Sequence, residues 1–124
     1  STATLRSTAA AAKGTSAAGA TQINRDCKGV VLSISKTANS GTSPTVTIKV
    51  QGSANGTDWY DITGATTAAI SANGTTTLTV CPGVPVTANV STSQPLPRLW
   101  RIYWTIGGSD TPTVTFSVDA AMIQ

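Results

Sequence analysis

Two residue types on which many enzymes and most long helices rely are missing from this sequence. The 124 residues contain no histidine and no glutamate, and charged residues make up only 10% of the chain. Glutamate, lysine, leucine and methionine favour long helices, and all four are absent or scarce here. Acid–base catalysis usually needs a histidine or a carboxylate with a shifted pKa. These absences predict little helix and no enzymatic activity.

The charge balance is small and the apolar runs are short. Eight lysine or arginine residues and five aspartates give a net charge of +3, and the basic residues are spread along the chain. A dispersed excess of this size is typical of a solubilising surface, so we expect no nucleic-acid partner. No apolar run approaches the roughly 20 residues that span a bilayer, and the alanine-rich start lacks the apolar centre of a signal peptide. We therefore expect a soluble protein with no membrane partner.

Cysteine is scarce as well. Cys27 and Cys81 can form at most one disulfide, which is too few for a framework that holds a small secreted domain together. Without histidine neither thiol has a base to activate it, and the chain offers no set of metal ligands. We expect two partly buried thiols, with a bridge between them as the alternative, and no metal or cofactor.

Threonine and period-two alternation are what the sequence has in excess. There are 23 threonines, and β-branched residues of this kind are typical of strands. Apolar side chains recur at every second position in several segments, which predicts half-buried strands with one face toward a core. The inward positions in the first two segments are Val30, Leu32, Ile34, Val46, Ile48 and Val50.

Turn signals separate these strands at short intervals. Asn55-Gly56 and Asn73-Gly74 suit the positive φ angles of tight turns, and each predicts a hairpin. The prolines at 82, 85, 95 and 97 cannot donate to a central ladder and predict strand ends or edges. About eight short strands with frequent turns predict an all-β fold, namely a single β-sandwich of jelly-roll-like type with an extended N-terminal arm.

Residues 1–20 differ from the rest because they contain one leucine, no aromatic residue and no strand alternation. Such a segment in isolation cannot offset its own ordering entropy, which is about 1–2 kcal/mol per residue for the backbone. We expect residues 1–20 to form a flexible arm that orders on a partner, and residues 21–124 to form the β-sandwich domain. Leu5 is the apolar anchor of this arm, and Arg6 and Lys13 are candidates for pairing with acidic groups. A disordered tail without a role is the alternative.

The segment 99–106 has two substantial faces. Its alternation places Trp100 and Trp104 inside. Arg101 and Tyr103 then lie next to each other on the opposite face. Arginine and tyrosine are enriched at protein interfaces. Outside the arm, the candidate interface residues are Trp59, Tyr60, Leu99, Arg101 and Tyr103.

Asp58 and Asp61 are the one close pair of carboxylates, and they flank two aromatic residues. Such a pair suits a glycosidase or a Ca²⁺ site, whereas solvated residues of a turn and a strand end are the simpler interpretation, which we adopt. Serine and threonine hydroxyls have no histidine or well-placed lysine to act as a base. The sequence therefore predicts no catalytic residue.

Two stretches carry a resemblance to known proteins: TVTIKVQGSANGTDWYDITGAT and, much later, LWRIYWTIGGSDTPTVTFSVDAAM. They are similar to a family of small virion proteins of tailed bacteriophages that decorate or cement capsids, and the resemblance covers roughly residues 28–124. It implies a jelly-roll-like sandwich without catalytic residues, and the major capsid protein as partner. It also implies a place on the capsid surface after assembly in the host bacterial cytoplasm.

Two other hypotheses stay open. One is a carbohydrate-binding module of a phage tail or fibre, because the S-x-N-G-x-x-W hairpin also occurs in carbohydrate-binding discoidin-like sandwiches. The other is a secreted adhesin domain of β-sandwich type. Outer positions such as Leu99 and Tyr103 further predict a homo-oligomer, a trimer or dimer at a symmetry axis.

Overall fold

The architecture is all-β, as the composition predicts. A computed structural model describes the backbone of residues 4–13, 17–19, 21–24 and 27–123, and the side chains of residues 18, 19, 21–24, 27–109 and 112–123. Within these ranges no segment is helical. The strands are β1 (Thr4–Lys13), β2 (Ala17–Ala18), β3 (Gln22–Ile23), β4 (Gly29–Ser53), β5 (Trp59–Thr66), β6 (Gly74–Val80), β7 (Ser91–Thr92) and β8 (Leu99–Ile123).

A single sheet contains all of these strands. Its order is β1-β8-β4-β6-β7, with β5 paired to β4 and with β2 and β3 paired to β8. The centre is the antiparallel pair β4 and β8, which runs from Gly29 opposite Ile123 to Ser53 opposite Leu99. Because both strands are 25 residues long, they position every other element.

The long central strands differ from the short strands predicted by the sequence. In the sequence, strand ends are suggested by the polar segment after Lys36 and by the Gly107-Gly108 step. In the structure both segments stay paired, and they form bends with register shifts. Backbone with positive φ makes these bends, at Gly41 (φ 96°), Ser43 (φ 49°) and Gly108 (φ 117°). A Cβ at Gly108 would lie 2.9 Å from the carbonyl oxygen of Thr42, so the close approach of the two strands also requires glycine there.

The sheet folds back on itself at these bends. A straight strand would place positions 104 and 116 about 40 Å apart. The rings of Trp104 and Phe116 instead meet edge to face, with their centroids 5.7 Å apart. The two halves of β8 therefore face each other across one core.

The core consists of the inward rows of β4 and β8 together with apolar residues of β5 and β6. Trp100 and Trp104 are buried, which confirms their predicted inward placement. One charged residue, Lys36, continues the inward row of β4 and is buried as well. The largest fully buried apolar side chains are Trp100, Phe116, Leu32, Ile34, Ile48, Leu78, Ile102, Val30, Val46, Val50 and Val80.

One of the two predicted hairpins is confirmed. β4 and β5 pair on either side of Asn55-Gly56, where Gly56 has φ 81°. The Oδ1 atom of Asn55 accepts hydrogen bonds from the backbone N–H groups of Thr57 (2.8 Å) and Asp58 (2.9 Å). The prediction of a hairpin at Asn73-Gly74 is wrong, because β6 pairs with β4 and β7 rather than with the segment before it. That segment is held elsewhere, through a bridge between Ile70 and Val46.

The N-terminal segment differs from the expected flexible arm over Thr4–Lys13, which the structure places as the strand β1 beside β8. In isolation this segment cannot offset its own ordering entropy, whereas in the fold the edge of β8 offers backbone partners for its N–H and C=O groups. β2 and β3 continue along the same edge. Residues 1–3, 14–16 and 20 of the predicted arm lie outside the described residues, and the domain boundary at residue 20 stays a prediction.

Candidate protein interface

The outer face of β5, β4 and β8 carries a connected set of polar and aromatic side chains. Strand alternation brings this about, because the residues between the buried positions of each strand point away from the core. Gln51 of β4 lies opposite Asp61 of β5 and Arg101 of β8, and Lys49 lies opposite Tyr103. Side chains of directly opposed residues are close enough to interact.

Arg101 is held from two sides. Its guanidinium carbon lies 4.3 Å from the ring centroid of Trp59, which is a cation–π contact. Its Nε donates a 2.8 Å hydrogen bond to Oε1 of Gln51. The side chain is therefore fixed across three strands before any partner binds.

Asp61 forms the second centre of this face. Its carboxylate accepts hydrogen bonds from Nε2 of Gln51 (2.9 Å) and from Nζ of Lys49 (3.1 Å). These two hydrogen bonds, in that order, lower the pKa of Asp61 below its ordinary value of 3.8, against a smaller opposing effect of burial. Lys49 also lies over the ring of Tyr103, with Nζ 5.2 Å from the centroid.

We call this set of six residues the outer network: Lys49, Gln51, Trp59, Asp61, Arg101 and Tyr103. It combines an ion pair, an amide and two aromatic rings on a sheet surface. Arginine, tryptophan and tyrosine are the residues that most often dominate the binding energy of protein interfaces. The arrangement is suited to recognition of a surface.

Leu99 and Ile23 extend the outer network with apolar surface. Leu99 is half-buried and lies opposite Ile23 of β3, which is 53% exposed. Both point to the same side as Arg101, since directly opposed residues share a face.

Four of the eight predicted interface residues therefore come together, namely Trp59, Leu99, Arg101 and Tyr103. Tyr60 does not join them, because it follows Trp59 in the strand and points to the other face, where it lies opposite Gly52. It is 52% exposed and is the most accessible aromatic side chain in the described part of the chain. The sequence singled out both Trp59 and Tyr60, and the register assigns Trp59 to this face.

The structure separates the three residues of the predicted arm from this group. Leu5, Arg6 and Lys13 lie in β1, opposite Ala120, Asp119 and Val114 of β8. These positions belong to the other half of β8 from Arg101 and Tyr103. The side chains of Leu5, Arg6 and Lys13 lie outside the described residues, so their role as contacts stays a prediction.

Sequence reasoning missed Lys49, Gln51 and Asp61. The alternation in TVTIKV indicated that Lys49 points outward, but nothing in the local sequence reveals which residues lie opposite it. Asp61 was interpreted as a solvated strand-end residue together with Asp58. The two aspartates have separate partners: Asp58 accepts a 3.0 Å hydrogen bond from Nδ2 of Asn55 in the turn, while Asp61 belongs to the outer network.

The described residues contain no group of three or more cysteine, histidine or acidic side chains arranged to hold a metal ion. Cys81 is buried, Cys27 packs against the core, and the structure does not join the two in a disulfide. Within the described ranges, no helix has the length and apolar character needed to cross a membrane.

Comparison with known proteins gives no relative. No family model, no curated protein and no solved structure matches this chain.

Proposed function

We propose that this protein is a structural component of a tailed-phage virion that binds the outer surface of the capsid. It stabilises the shell by bridging major capsid protein subunits, and the outer network is its contact surface. The observation that carries the proposal is the fixed position of Arg101 between Trp59 and Gln51. The resemblance of two sequence stretches to capsid decoration proteins supplies the identity of the partner.

A pre-positioned arginine favours binding because association normally costs about 0.5–1.5 kcal/mol for each flexible side chain that becomes fixed. In this chain the ordering of Arg101 is already achieved in the unbound fold. Its Nε is engaged by Gln51, and the described contacts leave its terminal nitrogens available for a partner carboxylate. The surface therefore fits a protein partner with acidic and apolar groups.

Repetition over a lattice makes such a modest surface sufficient. Many weak contacts to neighbouring subunits add through multivalency, and no catalytic turnover is required. We propose a jelly-roll-like β-sandwich as the fold class of this module, supported by the sheet that folds back around one core. We also propose that the protein acts as a trimer or dimer, supported by the apolar surface at Ile23 and Leu99 beside the network.

A carbohydrate-binding module of a phage tail or fibre is the second candidate, and the exposure of Tyr60 favours it. Sugars stack on open aromatic faces. The two aromatic rings of the outer network already have a cation over one face, Trp59 with Arg101 and Tyr103 with Lys49. The remaining open aromatic surface is small, which favours the capsid proposal.

The test is co-sedimentation with purified tailed-phage capsids that lack this protein, beside a glycan array. We expect stoichiometric binding to capsids, strong weakening by Arg101→Ala, and no change with the exposed control Lys28→Ala. Binding to glycans without binding to capsids would favour the second candidate. Equal binding by both variants would remove the outer network from the contact surface.

A further inference from the structure

Lys36 occupies a position that is unusual for a lysine. It follows Val30, Leu32 and Ile34 in the inward row of β4 and is only 1% exposed. Lysine is almost never fully buried unless it is paired with an opposite charge. The structure instead gives Nζ a neutral partner, the Oδ1 atom of Asn73 at 2.7 Å. A charged ammonium in this position is poorly compensated, because an amide oxygen does not balance a full charge.

The backbone holds the two side chains together. Lys36 lies opposite Gly74 of β6, the residue that follows Asn73, and opposite Phe116 of β8 on its other side. Nζ lies 2.7 Å from Oδ1 of Asn73, and Cγ is one C=O bond, about 1.2 Å, from that oxygen. Cγ is therefore at most that much farther from Nζ than the oxygen is. The pairing of β4 with β6 thus holds an amine in contact with the carboxamide of the residue just before β6. Proximity of two reacting groups raises their effective concentration, which reaches about 10⁵–10⁸ M where the groups are also well oriented.

We propose that Lys36 and Asn73 are the site of a self-catalysed cross-link, an amide bond between the two side chains. Once Nζ has given its ammonium proton to solvent, it attacks Cγ of Asn73, a bond forms between these two atoms, and the bond between Cγ and Nδ2 breaks. Nδ2 takes up the second proton that Nζ gives up and leaves as ammonia. One primary amine and one primary amide give one secondary amide and ammonia, so the step needs no oxidant, reductant or cofactor.

The surroundings of Asn73 supply an exit for the ammonia and a route for the proton. Asn73 lines an open surface pocket of about 510 Å³, together with the hydroxyl-bearing residues Ser71, Thr75 and Thr76. Asn73 is exposed, so solvent reaches its amide. Since each molecule reacts once, a slow step is sufficient.

The product replaces a poorly compensated buried ammonium with a neutral amide. It also ties β4 to the start of β6, across 37 positions of sequence. A covalent tie of this kind restricts the unfolded chain and resists mechanical separation of the two strands. The inference stands independently of the proposed function, because it rests on the chain alone.

Intact-mass spectrometry of the purified full chain tests the proposal, on fresh protein and after prolonged incubation of the folded protein. We expect a mass below that of the sequence by one ammonia, about 17 Da. Proteolysis should release one branched peptide that joins Lys36 to Asn73. Asn73→Ala and Lys36→Met should each restore the full sequence mass, whereas the exposed controls Asn39→Ala and Lys28→Met should keep the deficit.

Asn73 is exposed, so its alanine variant remains informative even if Lys36→Met fails to fold. Incubated, folded protein that keeps the full sequence mass would overturn the proposal. A deficit that persists in Asn73→Ala would also overturn it, because the ammonia would then come from another side chain.

Discussion

The strands β4 and β8 present two faces of opposite character in alternating residues. The inward rows are buried and, apart from Lys36, apolar. The outer rows around Gln51 of β4 and Arg101 of β8 are joined by hydrogen bonds and cation–π contacts. Burial of apolar surface supplies most of the free energy of folding, while exposed polar pairs supply little. Stability is carried by the inner face of these strands, and the proposed recognition by the outer face. Substitutions should therefore separate the two properties.

The largest effect should come from the inner face. Phe116→Ala removes a fully buried ring that contacts Trp104 from the opposite half of the sheet, so we expect a loss of about 3–5 kcal/mol in the free energy of unfolding. Chemical denaturation measures this loss. The matched control is Thr115→Ala, one position away and half-buried, for which we expect a change within about 0.5 kcal/mol. Equal losses in both variants would contradict the division between the faces.

An intermediate effect should come from the turn that connects the two strands bearing Gln51 and Trp59. Asn55→Ala removes the acceptor of two backbone hydrogen bonds, from Thr57 and Asp58, and should cost about 1–2 kcal/mol. Thermal unfolding compared with Asn39→Ala, an exposed asparagine of β4, provides the measurement. An unchanged unfolding temperature in Asn55→Ala would show that the turn holds its shape without this side chain.

A smaller effect on stability should come from Arg101→Ala. The loss of one cation–π contact and one hydrogen bond on a partly solvated face should cost about 0.5–1 kcal/mol. The fluorescence of the protein should change, because the variant alters the surroundings of Trp59. A loss as large as that of Phe116→Ala would mean that the outer network is part of what holds the fold together.

The smallest effect should come from the Asp61 carboxylate, whose side chain is 61% exposed. Its pKa is lowered in the folded state, so its contribution to stability is present above the ordinary pKa of 3.8 and is lost as the pH falls through the folded value. We expect Asp61→Asn to lower the unfolding temperature slightly at neutral pH. The difference from the unchanged protein should close in acid and in high salt. A difference that grows in acid would reverse the assigned direction of the pKa shift.

The sequence was sufficient for the composition of the core and insufficient for the path of the strands. Alternation identified the rows around Val30 and Trp100, because burial on one face of a strand leaves a period of two. It could not show that β4 and β8 continue through their bends. That outcome depends on positive φ at Gly41, Ser43 and Gly108 and on pairing between segments far apart in sequence.

The candidate site was predictable in part for the same reason. Residue type and outward alternation were enough to single out Arg101 and Tyr103. Gln51 and Asp61 became part of the site only through register, since Asp61 lies opposite Gln51 after a turn whose length sets the pairing. A second limit is visible at Lys36, where alternation predicts an inward position but chemistry argues against one.

The thermal resistance of capsids tests the central claim most directly. Purified tailed-phage capsids that lack the protein are saturated with the unchanged chain, with the double variant Arg101→Ala and Tyr103→Ala, or with no protein, and are then heated. The proposed bridging role predicts that the unchanged chain raises the temperature of disruption and that the double variant, although folded, does not. Equal resistance of bare and fully occupied capsids would contradict it.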